Sequence, residues 1–393
     1  MKDMATGTTK SVLKEIKICA WCLGRQYSSS PNEIERVGKR TADRLGLVHP
    51  KVCELCGNAF KRRVEIVNRV IAELGEIEFA TFQVGVALSS DSIEKEDEMR
   101  SRLRLSSGIS LKKGLTTMFR HELANRLDKK PALRNPDITI RIGLPEESIQ
   151  FESKPVTAYV EYLKLARGIP VRAMPCADCG GQGCPSCEGT GIGKLDESIE
   201  AGLTHAFLDA FEGRRIKISW SGIEEESSLL LGGGRPTYVE VVAPAKRLSG
   251  LMRLNMKPTR DMQMTRAELA PLNRGMIEAL VKEVVVMADF ESELGASDVQ
   301  LLEQAYKNRD LVIAGDGRGR RKRVYTLEVS PSGRRTRMRF VLDNGVNLRR
   351  LLAMKADSGG GQEMAQPSFA DLLPSNRILS IESDVVGFRR ADY

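Results

Sequence analysis

The cysteines constrain the fold of this chain more than any other residue type, because all eight fall into Cys-x-x-Cys pairs. The pairs are Cys19/Cys22, Cys53/Cys56, Cys176/Cys179 and Cys184/Cys187. The sequence has no apolar run of about 18 residues, and its first 17 residues are polar, so we expect a cytoplasmic protein without membrane spans. In that reducing compartment the pairs predict metal binding rather than disulfides.

The first two pairs predict one closed metal site in the N-terminal region, residues 1–60. A glycine follows each pair closely, Gly24 and Gly57, and such turns let two thiolates converge on one ion. Four thiolates complete a tetrahedral site with no open position, so we predict a structural zinc ribbon. A redox pair is the competing interpretation, but it requires a helix after the motif in a βαβ context.

The second two pairs lie within one short segment, Cys176 to Cys187, which is rich in glycine. Four cysteines at this spacing can hold one zinc ion, and whether they do stays open. Taken alone, the segment resembles the cysteine-rich repeats of J-domain chaperones. Four repeats and a His-Pro-Asp motif would then be expected, and the sequence has neither.

The formal net charge of +8 favours a polyanionic partner, and the excess is concentrated in one region. Eleven basic residues lie between Arg318 and Arg350, against only Glu328 and Asp343 as acids. This region contains two alternating patterns, residues 322–329 and 336–342, which predict paired strands. We therefore predict a nucleic-acid-binding sheet.

Residues 221–244 combine three carboxylates, a glycine triplet and a strand. Glu224, Glu225 and Glu226 precede Gly232 to Gly234, Arg235-Pro236 and an alternating strand over 237–242. A predicted strand over 216–221 leads into the acidic loop, an arrangement that can hold a carboxylate rigidly beside an open cleft. The pattern alone also fits a solvated acidic loop followed by an ordinary turn.

Three features follow one another in this region: Gly222-Ile223-Glu224-Glu225, then Leu231-Gly-Gly-Gly-Arg-Pro236, then a strand ending in Pro244. This order resembles the signature of the archaeal and eukaryotic tRNA pseudouridine synthases that modify the TΨC arm. The resemblance extends over nearly the whole chain, because it includes both cysteine clusters, Arg167-Gly-Ile-Pro170 and the basic strand with Tyr325. It implies an α+β protein. We expect a zinc ribbon in 1–60, a THUMP-like RNA-binding domain in 61–165 and a catalytic domain in 166–393, built on a large mixed, mostly antiparallel sheet.

The resemblance also implies a function: conversion of uridine 54, uridine 55 or both in tRNA to pseudouridine, by a monomer without a catalytic cofactor. The family's catalytic aspartate falls on Glu225 and the arginine two positions before it falls on Ile223. Its two uracil-binding tyrosines fall on Phe290 and Asn347. We further expect Arg235, Arg323 and Tyr325 to contact the substrate.

These departures support a second hypothesis, in which the chain is a tRNA-binding protein or tRNA-folding chaperone of the same fold without catalysis. A third hypothesis is a redox or zinc chaperone that works through Cys176 and Cys179.

Overall fold

The computed structural model describes residues 7–105, 108–193, 197–273, 280–313, 320–346, 348–353 and 368–390. The chain divides into two compact units, Met1–Lys154 and Pro155–Tyr393. Within the described ranges, no helix has the length and apolar character needed to cross a membrane.

The N-terminal unit packs helices against a small sheet. Its elements are α1 (Gly7–Glu15), α2 (Ala20–Gly24), α3 (Pro31–Leu45), α4 (Arg63–Leu74), β1 (Thr81–Leu88), α5 (Ser90–Arg102), α6 (Leu111–Leu127), β2 (Lys130–Pro131), β3 (Ile138–Leu144) and β4 (Ser148–Ser153).

The sheet of this unit has the strand order β2-β1-β3-β4. Strand β1 runs parallel to both β2 and β3, whereas β3 and β4 are antiparallel. Helix α6 turns Leu111, Leu115, Phe119 and Leu123 into the core, which is the spacing of one helix face. This mixture of helices and strands agrees with the α+β class that the resemblance implies.

A buried ion pair joins the first cysteine segment to the start of α6. Arg25, with no exposed side-chain surface, pairs with Glu96 of α5. Both carboxylate oxygens of Glu96 accept from the Leu111 N–H, at 3.0 and 2.9 Å, and so satisfy a donor at the helix start. Arg25 Nη1 also donates to the Ile109 carbonyl at 2.9 Å. The pair therefore connects three separate segments of the unit.

The C-terminal unit is dominated by one large sheet. Its elements are β5 (Val156–Lys164), a short 3-10 helix (Pro185–Cys187), α7 (Ile199–Phe211), β6 (Arg215–Trp220), β7 (Leu229–Val242), α8 (Leu248–Arg253), β8 (Met262–Leu269), β9 (Leu280–Phe290), α9 (Ala296–Tyr306), β10 (Arg309–Ile313), β11 (Arg320–Ser332), β12 (Arg335–Asp343), α10 (Leu348–Ala353), α11 (Phe369–Leu372) and β13 (Ile378–Arg390).

The strand order in this sheet is β10-β11-β12-β9-β13-β7-β5-β8, with β6 also paired to β7. Among the described strands of this large sheet, the β13–β7 pairing is parallel and the other pairings are antiparallel. Phe207 and Phe211 of α7 and Phe369 of α11 are buried in the core of this unit. The predicted α+β class, with a large mixed and mostly antiparallel sheet, is confirmed.

Strand β5 pairs with β7 and β8 inside the large sheet. The sequence-based boundary at 165/166 instead placed residues 156–164 with the RNA-binding module. The boundary between the two compact units lies at 154/155 because β5 pairs with residues that follow it by 66 positions or more, the smallest separation being that of Lys164 and Leu230.

The glycine triplet forms a bulge in β7. Tyr162 pairs with Arg235 and Lys164 with Leu230, so β7 advances five residues (230 to 235) where β5 advances two (162 to 164). Gly234 has φ +92°, and a Cβ there would lie 2.9 Å from the Tyr162 carbonyl oxygen. The triplet therefore lets β7 change register beside β5, a structural need that only glycine meets easily.

We predict that Arg25→Met loosens the start of α6, because removing one partner of a buried ion pair typically costs about 3–5 kcal/mol. Hydrogen exchange of the peptide covering residues 108–115 should accelerate. Arg36→Met, which removes an exposed partner of Glu33, should leave that peptide unchanged. The double variant Arg25→Met/Glu96→Gln should recover part of the protection, since it removes both charges and keeps an acceptor for the Leu111 N–H. If hydrogen exchange in Arg25→Met were the same as in the wild type, the role of the ion pair would be contradicted.

Candidate functional site

A cleft of about 890 Å³ opens in the C-terminal unit at the acidic loop between β6 and β7. Loop residues 222–228 form one side of it, and β9, β13 and the segment after β12 form the rest. Its lining is acidic, basic, uncharged polar and aliphatic, and none of these lining residues is aromatic: Gly222, Ile223, Glu224, Glu225, Glu226, Ser227, Ser228, Arg235, Lys282, Val284, Asn344, Gly345, Val346, Leu348, Ser383 and Val385.

A buried polar network forms the base of this cleft. The side chains of Glu224 and Arg235 are 0% and 1% exposed and form an ion pair. Arg235 Nη1 donates to Asn344 Oδ1 at 3.1 Å, and the guanidinium carbon lies 4.5 Å from the Phe388 ring centroid. The Tyr162 hydroxyl donates to Glu224 Oε2 at 3.2 Å. Glu224 and Arg235 thus neutralise each other and are committed to holding the site together.

Gly222 lets the backbone pass directly over this network. Its φ is +138°, and a Cβ would come within 2.9 Å of Arg235 Nη1 and 3.1 Å of Asn344 Oδ1. Asn344 Nδ2 also donates to the carbonyl of Ser221, the residue before Gly222. The loop entry is therefore fixed by contacts to the segment after β12.

Lys164, at the end of β5, binds the backbone of the acidic loop. Its ammonium donates to the carbonyl oxygens of Ile169, Glu225 and Glu226, each at 2.9 Å. The residue has no exposed surface, and burial is the main cause that lowers the pKa of Lys164. The three carbonyl dipoles replace its lost hydration and fix the backbone on which Glu225 sits.

The far end of the loop is held by β13. Arg167 pairs with Asp384 at 2.8 Å, and Asp384 Oδ1 accepts from the Leu229 N–H at 3.0 Å. The hydroxyls of Ser228 and Ser383 lie 2.9 Å apart. Both ends of the acidic loop are therefore tied to the sheet.

Lys282 of β9 brings a cation to the wall of the cleft. Its Nζ donates to the Val346 carbonyl at 2.9 Å. Burial, and then the positive charge of Arg235, lower the pKa of Lys282 to about 8, while Glu224 and Glu225 act in the opposite direction. Glu225 itself is half-buried and lines the cleft, unlike the fully buried Glu224. The cleft thus holds two accessible carboxylates, the half-buried Glu225 and the exposed Glu226, together with an ammonium group of lowered pKa.

Several arginines of β11 and β12 are paired with acids. Arg321, Arg323, Arg335 and Arg337 are exposed and Arg339 is half-buried. Arg323 pairs with Asp310 at 2.7 Å. Arg339 pairs with Glu283 at 2.7 Å, and Arg335 with Glu382 at 3.3 Å. The basic excess predicted from 318–350 is therefore partly neutralised by acids from β9, β10 and β13.

Of the other predicted site residues, Tyr325 is half-buried in β11 and is not among the residues that line the cleft. Its hydroxyl donates at 3.0 Å to Asp343, which precedes Asn344. Phe290 is 1% exposed and packed in the core. It follows Lys282 by eight residues along β9, about 26 Å at the usual strand rise. The structure does not bring Phe290 to the cleft, and Asn347 lies outside the described residues.

The eight cysteines form two tetrads, one in each unit. In each tetrad the four sulfur atoms lie within 4.8 Å of one another. Cys19 and Cys56 Sγ are 3.7 Å apart, as are Cys184 and Cys187 Sγ. A tetrahedron with metal–sulfur bonds of about 2.3 Å has edges of about 3.8 Å, whereas a disulfide measures about 2.05 Å. The geometry fits metal coordination, as predicted from the spacing.

Backbone N–H groups point at the sulfurs of the second tetrad. Gly183 N–H donates to Cys179 Sγ at 3.2 Å, and Cys184 N–H to Cys187 Sγ at 3.1 Å. Backbone hydrogen bonds lower the pKa of Cys187 to about 6, and the bond from the Cys184 N–H has the largest effect. They favour thiolate, the form that binds metal.

Known proteins similar to this chain belong to the family that the sequence motifs indicate. The family model described as the archaeal Pus10 THUMP domain matches residues 66–143. The tRNA pseudouridine synthase Pus10 of Nitrosopumilus maritimus is 28% identical over 240 residues, 60% of this chain and 62% of that protein. The Pus10 of Pyrococcus furiosus is 24% identical over 413 residues, 96% of this chain and 98% of that protein. The resemblance to the archaeal THUMP-containing family is confirmed.

The alignment with the Nitrosopumilus Pus10 covers less than two thirds of that relative. Among solved structures, a Cbf5-Nop10-Gar1 complex has a TM-score of 0.26 at 14% identity, covering 59% of this chain and 57% of that chain. So low a score supports no statement about the fold.

Sequence reasoning missed the residues that hold the acidic loop in place. Lys164 ends an ordinary alternating strand, and Lys282 lies in a β-rich run, so neither carries a local motif. Asn344 stands in a turn after β12, where asparagine is common for conformational reasons alone. Their roles arise only from pairings between segments distant in sequence.

We expect each cysteine tetrad to bind one metal ion, so that the intact protein carries two per chain by elemental mass spectrometry. Cys56→Ser or Cys187→Ser should each lower the content by one ion, because a three-thiolate site binds far more weakly. Ser28→Ala, outside both tetrads, is the control and should keep both ions. A metal content that is unchanged in both cysteine variants would contradict the assignment.

Proposed function

We propose that this protein is a tRNA pseudouridine synthase that isomerises uridine 54, uridine 55 or both in the TΨC loop, with Glu225 as the catalytic carboxylate. The observation that carries the proposal is the half-buried Glu225 lining a cleft of about 890 Å³, on a loop fastened by Lys164. The named Pus10 relatives support the choice of reaction and of tRNA as substrate.

The chemistry requires a carboxylate that is fixed in space and reachable. Isomerisation breaks the glycosidic bond of uridine, turns the uracil and rejoins it to the ribose through carbon, so the base must leave the RNA stack. Glu224 cannot supply the carboxylate, because its side chain is fully buried against Arg235. Glu225 has the required exposure, and the Lys164 hydrogen bond to its carbonyl limits its movement.

Glutamate places its carboxylate about 1.5 Å further from the backbone than the family's aspartate, by one carbon–carbon bond. In this cleft Lys282 supplies the cation near Glu225, where the family has an arginine at the position of Ile223. Ile223 is 58% exposed and contributes an apolar surface instead. A base flipped into the cleft would meet Val284, Val346 and Ile223 as its apolar surroundings.

We propose zinc as the ion of both tetrads, since four thiolates in a tetrahedron are the donor set that zinc prefers. Its contribution would be to folding. Four cysteines would fill its tetrahedral coordination and leave no position for a substrate.

A second candidate function is tRNA binding without catalysis. It is favoured by one observation: no aromatic side chain is among the residues lining the described cleft, so the flipped uracil has no stacking partner there. Phe290, which was predicted to provide one, is buried elsewhere. Salt-sensitive tRNA binding with no pseudouridine formed in a single turnover would select this candidate.

We predict that Glu225→Gln abolishes pseudouridine formation in an unmodified tRNA transcript, with a rate loss of about a thousandfold or more, the scale on which loss of an essential carboxylate acts. Affinity for tRNA should change little, because only one surface charge is lost. Glu240→Gln, a change of the same kind at a residue paired with Lys217, should retain the wild-type rate. Modification by Glu225→Gln at the wild-type rate would exclude the proposed role.

We also predict a pH dependence set by Lys282. Because its pKa is lowered to about 8, the ammonium loses its proton and charge above that pH, and kcat/KM for pseudouridine formation should fall by about tenfold per pH unit. Lys282→Arg keeps the charge, so its activity should stay level to higher pH.

Lys217→Arg, at an exposed ion-paired position, provides the control and should reproduce the wild-type profile. The role of Lys282 would be refuted if its arginine variant lost activity over the same pH range as the wild type.

A further inference from the structure

The N-terminal unit contains a second cavity, of about 220 Å³, that the proposed reaction does not use. It lies where α2, α4 and α6 meet. Its wall includes Trp21, Phe60, Arg63, Met118, His121 and Glu122. The cavity is therefore partly aromatic, and it offers both hydrogen-bond donors and acceptors.

The aromatic part of this wall is rigid. The Trp21 and Phe60 rings are stacked, with centroids 5.3 Å apart and planes 8° apart. Phe60 is 1% exposed, whereas Trp21 is half-buried, so Trp21 presents the accessible aromatic surface. A tryptophan held in this way can receive a flat ligand with little loss of side-chain entropy.

Arg63 places a guanidinium group over the Trp21 ring. Its Cζ lies 5.3 Å from the Trp21 ring centroid. Nη1 donates to the Phe60 carbonyl at 3.1 Å and Nε to Glu122 Oε1 at 3.4 Å, which fixes the orientation of the plane. The side chain remains 30% exposed. A guanidinium plane held over an indole presents its outer face as a surface on which a heteroaromatic ring can stack.

Size and charge restrict what this cavity can hold. Its volume equals that of about seven water molecules at the ~30 Å³ share of each in the liquid, which suits a single ring system and is too small for a peptide or lipid chain. Glu35 and Glu122 line it together with Arg63, so a bare anion would meet two carboxylates. A neutral, flat heterocycle with donors and acceptors at its edge fits best.

We propose that this cavity binds one nucleobase, stacked against Trp21 and Arg63. The base can belong to single-stranded RNA or to a free nucleotide; the RNA source rests on the proposed function, while the chemistry of recognition is the same. Glu122 and His121 lie where they can hydrogen-bond the edge of the base, and Met118 contacts its apolar part.

The test uses the intrinsic fluorescence of the full-length protein. The chain has two tryptophans, Trp21 and Trp220, so Trp220→Phe leaves Trp21 as the sole indole reporter. This variant is titrated separately with the four nucleoside monophosphates, with single-stranded RNA hexamers, and with a hexamer of abasic nucleotides. We expect saturable quenching of Trp21 by base-containing ligands and none by the abasic strand.

Arg63→Gln should weaken this quenching response by about tenfold or more, the scale of one lost base-stacking surface. Arg69→Gln is the matched control, because it removes the same charge from α4 at a residue that pairs with Glu73 and Glu147 instead. Should Trp220→Phe fail to fold by circular dichroism, the same titrations of the wild type and of Trp21→Phe replace it, and the response must vanish in Trp21→Phe.

Absence of saturable quenching with every nucleotide and hexamer overturns the proposal, as does equal weakening by Arg63→Gln and Arg69→Gln. Quenching by monophosphates alone supports the site and assigns it to free nucleotides; quenching by base-containing hexamers and not by the abasic strand assigns it to RNA. Pseudouridine formation is assayed in parallel. Modification without quenching refutes only the nucleobase site, and quenching without modification refutes only the proposed function.

Discussion

The structure of the cleft depends on one buried ammonium group. Lys164 donates to the carbonyls of Ile169, Glu225 and Glu226, and so joins the end of β5 to the backbone of the acidic loop. The Glu225 and Glu226 carbonyls also accept from the Ser228 and Gly168 N–H groups, which hold the same backbone. Lys164 also stands next to a run of three carboxylates, whose mutual repulsion would otherwise favour an extended, solvated loop. Lys164 thus acts together with Arg235, which pairs with Glu224, to make an acidic segment a fixed edge of the site.

The large sheet illustrates which parts of a fold local sequence determines. The alternation in 322–329 and 336–342 predicted two strands joined by a short turn, and β11 and β12 pair in this way, with Ser330 opposite Arg337. The alternation of 156–164 is just as regular, yet it says nothing about which sheet the strand joins. The partners of β5 are β7 and β8, and this choice is made by packing over a long sequence separation.

The same distinction applies to the candidate site. The cysteine spacing and the acidic loop were visible in the sequence because their chemistry is local. The state of the arginines was not, since Glu283 and Glu382, which pair with Arg339 and Arg335, lie in other strands. Phe290 was assigned by its place in an alignment, and strand geometry puts it at the opposite end of β9 from Lys282.

One contact bears on how such a chain is made. Ser228 and Ser383, which meet at the junction of the acidic loop and β13, are 155 positions apart in sequence. β13 also lies between β9 and β7 in the sheet, so each of these strands lacks one neighbour until β13 has been synthesised. During translation β9 and β7 therefore each expose one unpaired edge. The cleft cannot assemble until β13, which forms part of its wall, has left the ribosome.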